Sequence, residues 1–230
     1  MGGGTDARSG CQRARCTKVG ELDHLPKEIN VSNSSFTHSE RQSSSSLVDQ
    51  GGEWSTAVLG GGCFWCTEAV FKALKGVHAV QSGYCGGEVD HPTYEQVCGK
   101  QTGHIEVIKI DFDPAIIGFK ELLEVFFATH DPTTPGRQGN DVGPQYESVI
   151  FFQNNEQLTI SQEFVAELES SARFANPVST EIRPAETFWP AEHYHSDYFA
   201  LHPEQGYCQM VIAPKVSKFK KQFSDKLSHS

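Results

Sequence analysis

Apolar positions along the chain from residue 54 onward follow the two periods that are typical of strands and helices. Short apolar runs predict strands at 55–59, 77–84, 104–112, 147–152 and 178–182. Apolar residues spaced three and four apart predict helices at 63–75, from 119 to about 126, and at about 156–170. The order strand–helix–strand therefore occurs twice. It predicts an α+β fold, a two-layer α/β sandwich with a ferredoxin-like core.

Two regions of the chain lack this periodicity. After residue 182 the pattern predicts loops and short helices, a long irregular C-terminal segment of the kind that often builds a functional site. Residues 1–52 contain one aromatic residue, Phe36, and eight serines lie between positions 32 and 46. Such a segment cannot bury enough apolar surface to offset its ordering entropy. We therefore expect a disordered Ser/Gly-rich tail at 1–52 and one catalytic domain at 53–230.

Charge and composition exclude several classes of protein. The formal net charge is −10, and residues 1–50 contain six basic and six acidic residues, so the predicted domain carries the whole excess. An acidic domain is a poor partner for nucleic acid. We find no apolar run of about 18 residues for a membrane span and no secretory signal. We therefore expect a cytoplasmic monomer, with organellar targeting by the tail left open because Arg8, Arg13 and Arg15 resemble a transit peptide.

The cysteines point to redox or nucleophilic chemistry. Their number is seven, which excludes a fully paired disulfide scaffold. Three glycines at 60–62 predict a tight turn, and Cys63 follows in the first turn of a predicted helix, where the helix dipole favours a thiolate. Phe64 and Trp65 would form an apolar wall beside it. Cys11 and Cys16 are interpreted as thiols of the tail.

The spacing Cys63-x-x-Cys66 allows two further interpretations. It matches thiol–disulfide oxidoreductases, and it is also half of a zinc site. A zinc site needs a second ligand pair, and Cys85 and Cys98 are too far apart in sequence to form one. We therefore expect no metal, and we interpret Cys85 and Cys98 as structural or idle thiols.

Polar residues in the predicted strands and loops are candidates for acid catalysis and substrate binding. Glu106 has the same parity as the apolar residues at 108, 110 and 112, which points its carboxyl to an apolar face, where a raised pKa would suit a general acid. The alternative is that the strand begins with a solvated Glu106. Asp141 and Tyr146 lie in a long loop at 134–146, and Tyr94 lies in a second loop.

Six short motifs occur in an order that resembles the A-type peptide methionine sulfoxide reductases. The resemblance extends from about residue 57 to about residue 216, which covers most of the predicted domain, and the motifs themselves lie between residues 62 and 146. The motifs are Gly62-Cys63-Phe64-Trp65, Pro92-Thr93-Tyr94, Thr102-Gly103-His104-Ile105-Glu106, His130-Asp131-Pro132, Arg137-Gln138-Gly139-Asn140-Asp141 and Gln145-Tyr146.

The resemblance implies a role for each candidate residue. Cys63 would attack the sulfoxide sulfur, and Glu106 would protonate the sulfoxide oxygen. Phe64 and Trp65 would cage the substrate methyl group. The residues that would bind the oxygen are Tyr94, Asp141 and Tyr146. The substrates would be free and protein-bound methionine S-sulfoxide, and no bound cofactor would be needed. Cys63 would become a sulfenic acid and then a disulfide, which thioredoxin, or dithiothreitol in vitro, would reduce.

The chain departs from the common pattern of that family at its other cysteines. Many members have a small residue where Cys66 stands, and many have two cysteines near the C-terminus, where this chain has only Cys208. Cys208 and Cys66 are both candidates for the thiol that resolves the sulfenic acid. We expect Cys208, because its glycine-containing, polar surroundings predict a mobile segment. A general thiol–disulfide oxidoreductase that uses Cys63 and Cys66 remains the alternative function, and a non-catalytic sulfoxide-binding module is a third.

Overall fold

A computed structural model describes residues 54–228 of the chain. The predicted tail at 1–52, with Cys11 and Cys16, lies outside the described residues. No helix within 54–228 is long and apolar enough to cross a membrane.

The described residues form eight strands and six α-helices. The strands are β1 Ser55–Gly61, β2 Val77–Cys85, β3 Ile105–Phe112, β4 Arg137–Gln138, β5 Asp141–Val142, β6 Ser148–Phe152, β7 Glu181–Pro184 and β8 Trp189–Pro190. The helices are α1 Phe64–Phe71, α2 Tyr94–Cys98, α3 Phe119–Thr129, α4 Asn155–Ser170, α5 Tyr198–Leu201 and α6 Ala213–Gln222. Shorter 3₁₀ helices cover Pro144–Tyr146, His193–His195 and Ser224–Lys226, and a π-helix covers Cys208–Ile212.

Six strands form one sheet in the order β7-β6-β1-β3-β2-β8, and β4 and β5 form a separate small hairpin. The four central strands, with α1 between β1 and β2 and α3 between β3 and β6, have the order and antiparallel pairing of a ferredoxin-like unit. β7 extends this unit in parallel to β6 after α4. The predicted α+β sandwich with a ferredoxin-like core is therefore confirmed.

The core lies between the sheet and its helices. Alternate residues of β3 point to opposite faces: Ile108 and Ile110 pack with the helices, whereas Ile105 and Val107 belong to a smaller cluster on the other face. Gly61 shows how closely helix and sheet approach, since an added Cβ would lie 2.8 Å from the ring of Phe126 on α3. Glycine is therefore required for this helix–sheet contact.

Several boundaries differ from the sequence prediction. α1 ends at Phe71 and not near residue 75, because the chain leaves the helix before Gly76, whose positive φ of 86° serves the turn into β2. The strand expected at 178–182 begins only at Glu181. The irregular C-terminal segment contains a ten-residue helix, α6, that buries Val216 and Phe219. The sequence predicts only loops and short helices here, because the apolar stripe of α6 is short.

Candidate active site

The turn after β1 places Cys63 at the start of α1. Gly62 has φ +90°, and a Cβ there would lie 2.5 Å from the side chain of Gln138, so only glycine fits the turn. Cys63 is the N-cap residue of α1, with φ −57° and ψ 121°, and is 2% exposed. An anion at this position is stabilised by the first amide groups of the helix. The turn therefore supplies what a reactive thiolate needs.

The carboxyl group of Glu106 lies directly beside this turn. Glu106 is on β3, its side chain is fully buried, and its Oε2 accepts the backbone N–H of Phe64 at 3.1 Å. The alternative of a solvated strand residue does not hold. Because Phe64 follows Cys63 in sequence, the hydrogen bond ties the acid to the peptide next to the candidate nucleophile.

Three cysteine thiols come together around the start of α1. Hydrogen bonding to Cys63 lowers the pKa of the Cys66 thiol from its ordinary value, although burial acts to raise it. Cys208 is also buried, and the pKa of its thiol is raised by burial and by the nearby charge of Cys63. Cys208 is the first residue of a π-helix that packs against α1, and not part of the loop that the sequence predicted.

Trp65 is held in one orientation from several sides. Its Nε1–H donates to Nδ1 of His195 at 3.0 Å. The ring of Tyr198 stacks on the indole, with centroids 3.7 Å apart and planes 4° from parallel. The ring of Tyr207 contacts the indole edge-on, with ring centroids 6.1 Å apart, and the centroid of the Phe64 ring lies 6.4 Å from that of the indole. The indole is 6% exposed and acts as a fixed wall beside the thiols.

Glu192 links two tyrosines on the other side of Glu106. Its carboxylate accepts the Tyr84 hydroxyl at 3.0 Å and the backbone N–H of Tyr94 at 2.8 Å. Tyr84 pairs with Glu106 across β2 and β3, and burial together with the charges of Glu192 and Glu106 raises the pKa of its hydroxyl. Tyr94 begins α2, which Thr93 caps through a reciprocal hydrogen-bonding box. Tyr94 is therefore connected through Glu192 to Tyr84, the strand partner of Glu106.

Asp141 and Tyr146 approach from the loop at 134–146. Asp141, on β5, accepts the hydroxyl of Tyr207 at 2.5 Å. Burial, and then the charges of Cys63 and Cys66, raise the pKa of the Tyr207 hydroxyl, so it remains a donor. Tyr146 is 3% exposed in a 3₁₀ helix that packs against β3.

Four residues around this site were not singled out from sequence. They are Tyr84, Glu192, His195 and Tyr198. Three of them lie in the irregular C-terminal segment, and the only sequence signal was the density of histidine and tyrosine in 193–198. A fifth such residue is Tyr207, which contacts Cys66 and Asp141.

Two cysteines lie apart from this group. Cys85, at the end of β2, is 1% exposed, and burial, together with the charge of Glu186, raises the pKa of its thiol to about 11. Cys98 is half-buried at the end of α2. A thiol with a raised pKa is a weak nucleophile near neutral pH, so Cys85 suits a structural role.

The fold and the site together place a buried carboxyl beside a cysteine at the start of a helix, an arrangement that suits a cysteine-dependent enzyme. Residues 55–227 match the family described as peptide methionine sulfoxide reductase. The chain belongs to this family of oxidoreductases, as the motif resemblance in its sequence indicated.

Individual relatives agree with the family match. Over 176 residues the chain is 53% identical to the peptide methionine sulfoxide reductase MsrA of Ralstonia nicotianae, covering 75% of this chain and 92% of that protein. A solved structure of Mxr1 from Saccharomyces cerevisiae in reduced form has a TM-score of 0.62 and 31% identity, covering 67% of this chain and 89% of the other. The solved structure of methionine sulfoxide reductase A of Corynebacterium diphtheriae has a TM-score of 0.58 and 31% sequence identity. The match covers 68% of this chain and 78% of the other.

Proposed function

We propose that this reductase converts free and protein-bound methionine S-sulfoxide to methionine through a sulfenic acid on Cys63, and so repairs oxidised proteins. The observation that carries the proposal is the hydrogen bond from the Phe64 amide to the buried carboxyl of Glu106. It brings an acid and a candidate thiolate to the same turn.

The reductase step needs both groups. The Cys63 thiolate attacks the sulfoxide sulfur, and Glu106 in its neutral form donates a proton to the sulfoxide oxygen, which is a poor leaving group until protonated. The oxygen then passes to the Cys63 sulfur, as the newly formed sulfur–sulfur bond and the sulfur–oxygen bond of the substrate both break. The products are methionine and a Cys63 sulfenic acid.

Side chains around the thiol set the orientation of the sulfoxide. The methyl group lies against Phe64 and Trp65, and the oxygen faces Glu106, Tyr94 and Tyr146. Asp141 acts through Tyr207, which it binds at 2.5 Å. The other epimer exchanges the oxygen with the lone pair and leaves these polar groups unpaired, at a cost of about 1–3 kcal/mol for each.

A second thiol then condenses with the sulfenic acid to form a disulfide and water. The sequence favoured Cys208, but two features of the fold support Cys66. First, Cys66 is in hydrogen-bond contact with Cys63, whereas burial raises the pKa of the Cys208 thiol. Second, Cys63 is the N-cap residue, so a Cys63–Cys66 bond does not need to distort a complete helical turn. We propose that Cys66 resolves first and that Cys208 is the second candidate.

Regeneration requires an external dithiol and no bound cofactor. We propose thioredoxin in the cytoplasm, with dithiothreitol as a substitute in vitro, because the potential of thioredoxin is low enough to reduce such a disulfide. The substrates and thioredoxin are then the partners of a monomeric enzyme that binds neither nucleic acid nor membranes.

Reaction of the full chain with separated epimers of a methionine sulfoxide peptide tests the function. With dithiothreitol present, we expect conversion of the S epimer only. Chiral chromatography of the remaining sulfoxide measures the conversion of each epimer. Equal conversion of both epimers would contradict the proposed pocket. Reduction of insulin disulfides without sulfoxide reduction would instead support the general thiol–disulfide oxidoreductase.

Disulfide mapping tests the resolving thiol. One equivalent of methionine sulfoxide is added without reductant, and the digest is analysed by mass spectrometry. We expect a peptide with a Cys63–Cys66 disulfide, both in the wild type and in the Cys208→Ser variant. A Cys63–Cys208 peptide as the sole product, together with unchanged turnover in Cys66→Ser, would restore Cys208 as the resolving thiol.

A further inference from the structure

A strained turn at Asp197 separates the two residues that hold Trp65. Asp197 has φ 54° and ψ 25°, a left-handed conformation that is uncommon for a residue with a side chain. On one side of it, His195 accepts the indole N–H of Trp65, and on the other side Tyr198 stacks on the indole face. The conformation of this one residue therefore directs both contacts.

Apolar packing holds this turn only in part. α5, which begins directly after Asp197, contains no fully buried residue, although Tyr198 and Phe199 pack against the core. Asp197 itself is exposed, and its side chain is 52% accessible. Polar contacts to its backbone are therefore also needed to keep the turn in its strained conformation.

Glu68 supplies that interaction from α1. Its side chain is 3% exposed, and its two carboxylate oxygens lie 3.3 and 3.1 Å from the backbone nitrogen of Asp197, which donates to them. Lys72, one turn further along α1, lies 3.1 Å from Glu68 and 2.6 Å from the Asp197 carboxylate. A carboxylate removed from water is costly unless it is paired and hydrogen-bonded, and here both conditions are met.

Both ends of this chain of contacts lie on the same helix, α1. α1 carries Trp65, and three residues later it carries Glu68. Glu68 fixes Asp197, and the neighbours of Asp197 fix the indole of Trp65. The same short helix thus presents the indole and anchors the turn that orients it.

We propose that Glu68 is a positioning residue for the reductase, which sets the orientation of Trp65 by anchoring the Asp197 turn. The inference rests on the proposed function in one respect, namely that Trp65 forms a wall for the substrate methyl group. Glu68 does not touch the reacting atoms. Its loss should therefore weaken substrate binding more than it slows the chemistry of Cys63 and Glu106.

Steady-state kinetics on a methionine S-sulfoxide peptide provide the first test. Glu68→Gln keeps the shape and one acceptor oxygen, and Glu68→Ala removes the anchor. We expect KM to rise about tenfold in Glu68→Ala, as for the loss of one well-placed hydrogen bond, with a smaller rise in Glu68→Gln and a smaller change in kcat. Glu167→Ala is the matched control, because Glu167 also pairs with a lysine, Lys120, but is 61% exposed on α4. It should leave both constants unchanged.

The ¹⁵N-indole spectrum of the reduced protein provides a test that needs no turnover. The chain has three tryptophans, and Trp65→Phe identifies the Trp65 signal. In Glu68→Ala and Glu68→Gln we expect this signal to shift and its indole proton to exchange faster with solvent, while the other two signals stay in place. The unchanged signals also show that each variant is folded.

A double-mutant cycle with Tyr198 separates positioning from general destabilisation. If Glu68 acts through the Asp197 turn, Glu68→Ala should add little to the KM of Tyr198→Ala. Fully additive effects, or an unshifted Trp65 signal in both Glu68 variants, would overturn the proposal. If the chain did not reduce the sulfoxide at all, the proposed function would fail, but the indole spectrum would still decide whether Glu68 positions Trp65.

Discussion

The β1–α1–β3 region and the segment at 191–208 both contribute side chains to the candidate active site, but different interactions hold them. Cys63 and Glu106 are 2% and 0% exposed and lie on elements joined by the strand ladder and the core. The other segment lies outside the strand ladder and is held by core packing, as at Cys208, and by polar and ring contacts, such as those of His195 with Trp65 and of Tyr207 with Asp141. The first region, which we call the rigid region, thus holds the candidate nucleophile and the candidate acid, whereas the irregular segment surrounds them.

Replacement of the nucleophile should have the largest effect on activity. We expect Cys63→Ser to abolish sulfoxide reduction, because an alcohol is a far weaker nucleophile than a thiolate at neutral pH. The assay is methionine formation with dithiothreitol. Cys85→Ser and Cys98→Ser are the matched controls and should keep nearly full activity. Substantial turnover by Cys63→Ser would contradict the assignment of Cys63 as the nucleophile.

Loss of the acid should have the next largest effect. Glu106→Gln keeps the shape of the side chain but cannot donate a proton, so sulfenic acid formation should slow by about 10²–10⁴-fold. The alkaline limb of the pH–rate profile should also disappear. Single-turnover kinetics across the pH range provide the measurement. An unchanged profile would mean that Glu106 only anchors the Phe64 amide.

His130 should make the stability of the rigid region depend on pH. It is buried between the Phe126 carbonyl and the Ser148 hydroxyl, and burial lowers its pKa from 6.5 to about 4. As the pH falls from 6.5 to 4, the unfolded chain binds a proton at this position and the folded chain does not. Acidification should therefore lower the free energy of unfolding, by about 3 kcal/mol once the pH is below 4.

Urea unfolding of the wild type and His130→Gln at a series of pH values measures this contribution. The difference between the two proteins isolates His130 from the carboxyl groups that also titrate. We expect the variant to lose the part of the pH dependence between 6.5 and 4. Parallel curves would show that His130 has the same pKa in the folded and the unfolded chain.

A change in the irregular segment should have the smallest effect. Tyr207→Phe removes the hydrogen bond to Asp141 but keeps the ring against Trp65, so we expect activity to fall about tenfold. The thermal midpoint should hardly move, in contrast to changes in the rigid region. A large fall in the thermal midpoint with unchanged activity would mean that Tyr207 stabilises the fold and does not orient the site.

Much of the rigid region could be predicted from sequence, because its signals are local. The glycines at 60–62 predicted the turn, and the alternation in β3 predicted the inward direction of Glu106, now seen as full burial. The end of α1 was predicted four residues too late, because helical spacing alone does not show where the chain turns toward β2. The contact between Cys66 and Cys63 was left open, because the Cys-x-x-Cys spacing fits more than one kind of site.

The sequence by itself determined the ferredoxin-like order of elements, the position of Cys63 at a helix start and the family, because each of these depends on neighbours along the chain. Only the tertiary structure decided which side chains surround Trp65, which thiol contacts Cys63 and why Glu68 is buried. Glu68 and Asp197 are separated by 129 positions, and Trp65 and His195 by 130. Contacts at that separation arise from the path of an irregular segment across the surface of the core. That path leaves no periodic pattern in the sequence, because no regular hydrogen-bonding ladder sets which of its residues face inward.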